Sequence, residues 1–175
     1  MAIKTIFLDR DGVINKEINY LHKIEEFDFI EGIFDICCLF KSLNYKIVII
    51  TNQSGISRGY YSESDYQKVT QWMLKQFKFK GIKILDVFHC PHGPDSDCNC
   101  RKPKPGMLLE AKSKYNIDMK KSWMIGDKGS DIVAANAAGI KRTILLKSIH
   151  ENDKSKIHAT FCIDSLNELT KIITI

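Results

Sequence analysis

The chain has 175 residues, of which 44% are hydrophobic and 27% are charged, and its formal net charge is +5. These values predict one globular domain over residues 1–175 and exclude a disordered or low-complexity chain. No apolar stretch approaches the roughly 18 residues that span a bilayer, and no signal core is evident, so we expect a cytoplasmic protein without a membrane partner. Lys and Arg are spread along the chain, which does not indicate a nucleic-acid partner.

Strand and helix patterns alternate along the chain. Short apolar runs predict strands at 3–8, 47–50, 84–89, 122–125, 143–146 and 161–163. Apolar residues at helical spacing predict helices at 32–44, 62–77, 105–115, about 130–139 and 165–172. This alternation predicts an α/β fold, a Rossmann-like three-layer sandwich with helices on both faces of a central parallel sheet. No insertion is large enough to form a cap domain.

Polar side chains follow four of the predicted strands. They are Asp9 and Asp11, then Thr51 and Asn52, then Lys102 beyond a long loop, and finally Gly126-Asp127-x-x-x-Asp131. Because ligands of open α/β sheets bind beyond the carboxyl ends of the strands, we expect these groups to meet. Carboxylates beside an ammonium group suit Mg²⁺, with oxygens from the Asp9 and Asp127 side chains and the Asp11 carbonyl.

These groups have complementary tasks if the substrate is a phosphate. The Asp9 carboxylate can attack phosphorus and form an aspartyl-phosphate. Asp11 lies on the same side of an extended chain and can protonate the leaving oxygen, whereas Arg10 would point to the opposite side. Thr51 can hydrogen-bond the phosphoryl oxygens, and Lys102 can offset their charge. We therefore expect Asp9, Asp11, Thr51 and Lys102 to be catalytic.

The six cysteines fall into two groups. Cys37, Cys38 and Cys162 lie in apolar helix or strand patterns, which predicts small buried residues. The others form Cys90-x-His92-x₅-Cys98-x-Cys100, a ligand set typical of a structural Zn²⁺ in a reducing compartment. His89 is a competing imidazole. Because this short loop, about 89–101, leads into Arg101 and Lys102, we hypothesise that zinc holds both cations in place.

The ordered motifs Asp9-x-Asp11-Gly12, Thr51, Lys102 and Gly126-Asp127-x-x-x-Asp131 resemble those of the haloacid-dehalogenase-like (HAD) phosphatases. The resemblance spans residues 6–131. It implies a HAD-like fold in which Asp9 is the nucleophile, Asp11 the general acid/base and Asp127 a metal ligand. Asp131 would support the site without contacting substrate.

Three segments, 52–59, 90–100 and 100–107, are similar to one HAD family, the D-glycero-D-manno-heptose 1,7-bisphosphate 7-phosphatases. This resemblance implies a sugar bisphosphate substrate that loses its 7-phosphate, in the synthesis of activated heptose for surface polysaccharide, with Mg²⁺ and structural Zn²⁺. Short loops at 15–22 and 89–101 would restrict access. The implied substrate contacts are Glu17, Ile18, Asn19, Tyr20, Thr51, Asn52, Gln53, Ser54, Arg101 and Lys102; Arg58 is a further phosphate candidate, and Lys128 adjoins the metal.

Three other functions stay open. A histidinol-phosphate phosphatase would share the four motifs and a similar zinc loop, although the run 54–59 favours the heptose family. A polynucleotide 3′-phosphatase would need a basic, aromatic-lined groove, which the sequence does not indicate. A zinc-bearing binding module without catalysis would have an incomplete acid set, whereas this chain retains the whole set. No heptad pattern is present, and we expect a monomer.

Overall fold

The computed structural model describes residues 2–147 and 158–173. The strands are β1 (Thr5–Leu8), β2 (Lys46–Asn52), β3 (Ile84–Cys90), β4 (Trp123–Gly126), β5 (Arg142–Leu146) and β6 (Phe161–Ile163). The helices are α1 (Ile33–Ser42), α2 (Glu63–Phe79), α3 (Gly106–Tyr115), α4 (Gly129–Ala137) and α5 (Leu169–Ile172). Short 3-10 turns occupy Ile24–Glu26, Met119–Lys121 and Leu166–Glu168.

The strands form one parallel sheet in the order β3-β2-β1-β4-β5-β6. Strand β1 is central, and its last residue, Leu8, pairs with Ile49 of β2 and Ile125 of β4. The carboxyl ends of these three neighbouring strands therefore lie side by side. This register brings together the segments that follow β1, β2 and β4, as the sequence predicted.

Two apolar layers cover the two faces of the sheet. Alternate residues of β2 point to opposite layers: Ile47 and Ile49 to one, Val48 and Ile50 to the other. Helices α1, α2 and α5 pack on the first layer, and α3 and α4 pack on the second. A strand buried on both faces is continuously apolar, which explains the uninterrupted run of β2. The predicted α/β sandwich is confirmed.

Several predicted details differ from the structure. Strand β2 extends through Thr51 and Asn52, because these residues pair with His89 and Cys90 of β3. The helix predicted at 165–172 is a 3-10 turn followed by the short helix α5. Burial of Cys38 and Cys162 was predicted wrongly, since both are exposed. Cys38 lies off the α1 face that buries Cys37, and Cys162 lies on the short edge strand β6.

The connections between elements are compact. Within the described residues, the stretches 9–32 and 91–105 contain no helix longer than one 3-10 turn, so no cap domain is inserted there. A helix with the length and apolarity needed to cross a membrane is absent from the described part of the chain.

Candidate active site

A cavity of about 680 Å³ opens at the carboxyl ends of the central strands. Its walls include Asp9 and Asp11, the loop 17–21, residues 52–54, and residues 101–104. The predicted substrate contacts at 17–20, 52–54, 101 and 102 line it, and so does Lys128, which was predicted to adjoin the metal. Thr51 is buried at the end of β2, and Arg58 is exposed outside the cavity lining.

Three buried carboxylates converge beside this cavity. Asp9, Asp127 and Asp131 each offer an oxygen, and these oxygens all lie within 4.8 Å of one another. Asp127 Oδ1 is buried and has no hydrogen-bond partner among the described residues. Gly12, at φ 88°, makes room for this residue, because a Cβ there would lie 2.1 Å from Asp127 Oδ2. The predicted meeting of Asp9 and Asp127 is therefore present.

The carboxylate cluster carries excess negative charge. Burial, followed by repulsion from Asp131, raises the pKa of Asp9 to about 7, although Lys102 opposes the change. Burial and repulsion from Asp9 raise the pKa of Asp127 to about 8. A divalent cation with a preference for oxygen ligands would relieve both effects, so the donor set fits Mg²⁺.

Lys102 is the ammonium that partly neutralises this cluster. Its Nζ lies 2.8 Å from Asp9 Oδ1 and 2.6 Å from Asp131 Oδ1, and it donates to the carbonyl of Ile50 at 3.0 Å. Burial disfavours the charged form, but Asp131 and Asp9 outweigh burial and raise the pKa of Lys102. Two buried carboxylates and a carbonyl therefore surround the Lys102 ammonium, and its positive charge acts on the carboxylate cluster.

Asn52 fixes the backbone that carries Lys102. Its Nδ2 donates to the Lys102 carbonyl at 3.1 Å, and its Oδ1 accepts from the Lys102 N–H at 3.1 Å. This two-point contact joins the end of β2 to the segment that follows the cysteine loop. The position was predicted to contact substrate; Asn52 lines the cavity, and its amide is bonded to the Lys102 backbone.

Arg10 holds the carboxylate of Asp11. The chain turns directly after β1, with the Ile14 N–H bonded to the Arg10 carbonyl, so the extended geometry expected for Arg10 was wrong. Arg10 Nε and Nη2 lie 2.9–3.2 Å from the Asp11 oxygens, and Asn15 Nδ2 donates to Oδ1 at 3.0 Å. Arg10 is 1% exposed. Arg10 and Asn15 are site residues that the sequence reasoning missed.

Glu17 and Lys128 form an ion pair of 2.5 Å across the cavity. Burial disfavours the charged form of Lys128, but Asp127 and Glu17 outweigh it and raise the pKa of Lys128. A charged ammonium has no lone pair to offer a metal. Lys128 therefore joins the loop 17–21 to the carboxylate cluster without its side chain being a ligand.

Cys90, His92, Cys98 and Cys100 form a second cluster, whose ligand atoms all lie within 4.8 Å of one another. His92 Nδ1 is 3.2 Å from Cys100 Sγ, and Cys100 Sγ is 2.9 Å from Cys90 Sγ. The competing imidazole is excluded, because His89 Nε2 pairs with Glu63 at 3.0 Å.

Two basic residues that line the cavity donate hydrogen bonds to this second cluster. Arg101 Nη1 donates to the His92 carbonyl at 3.1 Å, and Lys104 Nζ donates to the Cys98 carbonyl at 2.7 Å. Burial opposes ionisation of Cys98, but hydrogen bonds from the Arg101 backbone and the neighbouring thiols outweigh it and lower the pKa of this thiol to about 6. A thiol that ionises readily is suited to binding metal. Lys104 was not anticipated from the sequence.

Comparisons with known proteins agree with this geometry. A HAD-hydrolase-like family model matches residues 99–169. A Photorhabdus laumondii protein named D-glycero-alpha-D-manno-heptose-1,7-bisphosphate 7-phosphatase is 49% identical, covering 98% of this chain and 97% of its own length. A Campylobacter jejuni protein of the same name is 52% identical over 83% of this chain and 84% of its own.

A solved structure shares the fold of this chain. It is the D,D-heptose 1,7-bisphosphate phosphatase from B. bronchiseptica, complexed with magnesium and phosphate. The two chains are 27% identical with a TM-score of 0.86, and the alignment covers 98% of each. On this structural match and on identities near one half over most of the sequence, the chain belongs to the D-glycero-D-manno-heptose-1,7-bisphosphate 7-phosphatase family of HAD-like hydrolases.

Proposed function

We propose that the protein hydrolyses the 7-phosphate of D-glycero-D-manno-heptose 1,7-bisphosphate, releasing heptose 1-phosphate and inorganic phosphate for the synthesis of nucleotide-activated heptose. The observation that carries this proposal is the buried cluster of Asp9, Asp127, Asp131 and Lys102 at a cavity of about 680 Å³, in a chain 49% identical to a named 7-phosphatase. The enzyme acts as a single-domain, cytoplasmic monomer without nucleic-acid or membrane partners.

The chain's own residues divide the reaction into two displacements. Asp9 Oδ1 is held by Lys102 Nζ and by the Arg10 N–H, each at 2.8 Å, which leaves Oδ2 to attack phosphorus. As the new O–P bond forms, the bond from phosphorus to the sugar oxygen breaks and Asp11 gives that oxygen a proton. Asp11 then takes a proton from the attacking water, which releases phosphate and restores Asp9.

Mg²⁺ would be held by the side chains of Asp9 and Asp127 and by the Asp11 carbonyl. The unpartnered Asp127 Oδ1 and the raised pKa values of Asp9 and Asp127 support this assignment. The B. bronchiseptica relative is described with magnesium and phosphate together. When bound, the ion supplies charge neutralisation to the phosphoryl group.

Gly12→Ala should raise the Mg²⁺ concentration needed for half-maximal phosphate release by about tenfold or more. An added Cβ would lie 2.1 Å from Asp127 Oδ2 and would displace this ligand. Gly81→Ala is the matched control, because Gly81 also has a positive φ but its Cβ would meet nothing within 4 Å. Both variants should lose stability from backbone strain, and only Gly12→Ala should change the Mg²⁺ titration. Equal titrations would contradict the assigned ligand.

We propose that Zn²⁺ closes the second cluster and thereby positions substrate-binding cations. Three thiolates and one imidazole make a coordinatively complete structural site. The carbonyls of two of the ligand residues, His92 and Cys98, accept hydrogen bonds from Arg101 and Lys104. Metal binding would fix those carbonyls and therefore the two cations that line the cavity.

Removing zinc with a selective chelator, while Mg²⁺ is kept saturating, should lower the melting temperature and raise KM. The same change is expected of Cys98→Ser. Cys162→Ser is the control, since Cys162 is exposed on β6, outside the cluster. The measurements are thermal melting, bound zinc and phosphate release. Unchanged melting and turnover in zinc-free protein would reject the structural role.

We propose the α anomer as the preferred substrate. Photorhabdus laumondii has two relatives of this chain: the one named for the α anomer is 49% identical, and the one named for the β anomer is 40% identical. The C. jejuni relative at 52% identity is also named for the α anomer.

A phosphate-release panel with Mg²⁺ tests the function. The substrates are both heptose bisphosphate anomers, histidinol phosphate and an oligonucleotide 3′-phosphate. We expect the highest kcat/KM on the α bisphosphate. A higher value on histidinol phosphate would establish the alternative function, a higher value on the oligonucleotide would establish a nucleic-acid substrate, and no release from any of them would point to a binding module.

A further inference from the structure

Gln53 follows β2 and is buried, with 2% of its surface exposed. Its Nε2 donates to Asp11 Oδ2 at 3.0 Å and to Thr51 Oγ1 at 2.9 Å. Its Oε1 accepts from the Tyr61 hydroxyl at 2.6 Å. The backbone N–H of Gln53 is also used, because it donates to the Cys90 carbonyl at 2.7 Å. The side-chain donors and the backbone donor of this residue are therefore engaged by protein.

The orientation of the Gln53 amide follows from its neighbours. Asp11 Oδ2 is an acceptor, so the NH₂ end of the amide must face it, and Oε1 must face Tyr61. Tyr61 then has to donate its hydroxyl hydrogen. Burial raises the pKa of Tyr61 to about 12, which keeps that hydrogen in place. Asp11 thus sets one of the two possible orientations of the amide, and the Tyr61 hydroxyl holds the amide in it.

This orientation has a consequence for Thr51. Because Thr51 Oγ1 accepts a hydrogen bond from Gln53, its own hydrogen is left to donate elsewhere. Across residues 2–147 and 158–173 the structure records no acceptor for that hydrogen. A phosphoryl oxygen in the cavity is the acceptor that the reaction would supply.

We propose that Gln53, oriented by Tyr61, is a positioning residue that sets the Thr51 hydroxyl and the Asp11 carboxylate for phosphoryl transfer and does not itself contact substrate. The inference rests on the proposed phosphatase activity. It differs from the role that family resemblance implies for Gln53, which is direct substrate contact. Tyr61 would then affect turnover only through its hydrogen bond to Gln53.

The Tyr61 ring is held by two neighbours in the position that brings its hydroxyl to Gln53. Gly55 lies directly against the ring, since a Cβ at position 55 would be 2.1 Å from Tyr61 Cε1. The imidazole of His22 stacks on the Tyr61 ring, with ring centroids 5.3 Å apart and nearly parallel planes. The ring is therefore fixed by neighbours on separate segments, and its hydroxyl is held at Gln53.

The test separates kcat from KM in Gln53→Met, Tyr61→Phe and the double variant. Gln53→Met keeps the side-chain volume but removes the amide, and we expect kcat to fall about 100-fold while KM stays within about twofold. Tyr61→Phe removes only the hydroxyl, and we expect kcat to fall about tenfold. Since Tyr61 acts through Gln53, the double variant should be no slower than Gln53→Met alone.

Tyr45→Phe is the matched control. The Tyr45 hydroxyl is also bonded inside the protein, because it accepts from Trp123 Nε1 at 3.3 Å. Tyr45 directly precedes β2 and therefore lies at the amino end of this strand, whereas the cavity lies at the carboxyl ends. This variant should lose stability without a change in kcat. A raised KM with unchanged kcat in Gln53→Met would restore direct contact and overturn the proposal, and so would multiplicative losses in the double variant or unaltered kinetics.

Two further measurements distinguish failure of this inference from failure of the proposed function. If the wild-type protein fails to release phosphate from the heptose bisphosphate, the proposed substrate is wrong. The same kcat and KM comparison is then made with para-nitrophenyl phosphate, for which Thr51 and Asp11 have the same tasks. Should Gln53→Met not fold, Tyr61→Phe alone decides, because its ring packing is preserved and only the hydrogen bond to Gln53 is lost.

Discussion

Asp9→Asn should abolish phosphate release, with a loss of at least about 10⁴-fold in kcat, as expected when a covalent nucleophile is removed. An amide cannot form and release the acyl phosphate as a carboxylate does. The fold should persist, because asparagine has the same shape and because the substitution removes one of three crowded carboxylates. The measurement is phosphate release under Mg²⁺ saturation, together with thermal melting.

The control for this experiment is Asp164→Asn, which makes the same chemical change at an exposed ion pair with Lys147. It should retain full activity. Substantial turnover by a folded Asp9→Asn protein would reject the covalent route and leave Asp9 only a metal ligand. Trapping of a phosphorylated protein in the wild type, and its absence from Asp9→Asn, would identify the intermediate independently of the rate.

The sequence was sufficient to place the groups that stand at strand ends. Apolar runs locate the strands, and all residues after parallel strands share one sheet edge, so the meeting of Asp9 and Asp127 follows from topology alone. The spacing from Cys90 to Cys100 likewise predicts a cluster, because the ligands are close in the chain. Local sequence pattern and parallel sheet topology are therefore sufficient to predict this part of the site.

The contacts between side chains could not be predicted in this way. Arg10 reaches Asp11 only because the chain turns after β1, and a two-residue spacing says nothing about that turn. Asn52 forms two hydrogen bonds with the backbone of Lys102, which lies 50 residues away in the sequence. Such contacts depend on rotamers and on the meeting of distant segments, and no periodicity encodes them. The amide pair at the end of β2, Asn52 and Gln53, was the one available signal, and it pointed equally well to substrate.

The same distinction explains the role of Lys102. Sequence reasoning expected its ammonium to offset charge on both the phosphoryl oxygens and the nucleophile, and the family resemblance implied contact with substrate. In the structure it lies between Asp9 and Asp131 and donates to the Ile50 carbonyl, and its side chain is 3% exposed. Lys102 therefore sustains the negative cluster that would hold the metal, and its removal should be felt in stability as well as in rate.

Lys102→Met should destabilise the fold by about 3–5 kcal/mol, because it leaves two buried carboxylates without their partner. Activity should be lost as well, since Asp9 would no longer be held by Oδ1. The measurement is denaturant unfolding without added Mg²⁺ and again in Mg²⁺, with zinc retained in both. Lys121→Met is the stability control: Lys121 is exposed and pairs with Asp118 at only 3.6 Å, so the loss should be small.

The double variant Lys102→Met/Asp131→Asn shows whether charge is the cause. Removing one of the two stranded carboxylates should restore part of the stability that Lys102→Met loses, whereas two independent packing defects would add. Mg²⁺ should stabilise Lys102→Met more than the wild type, because a cation at Asp9 and Asp127 would replace part of the missing positive charge. If Lys102→Met were no less stable than Lys121→Met without Mg²⁺, the ammonium would not be the group that stabilises the carboxylate cluster.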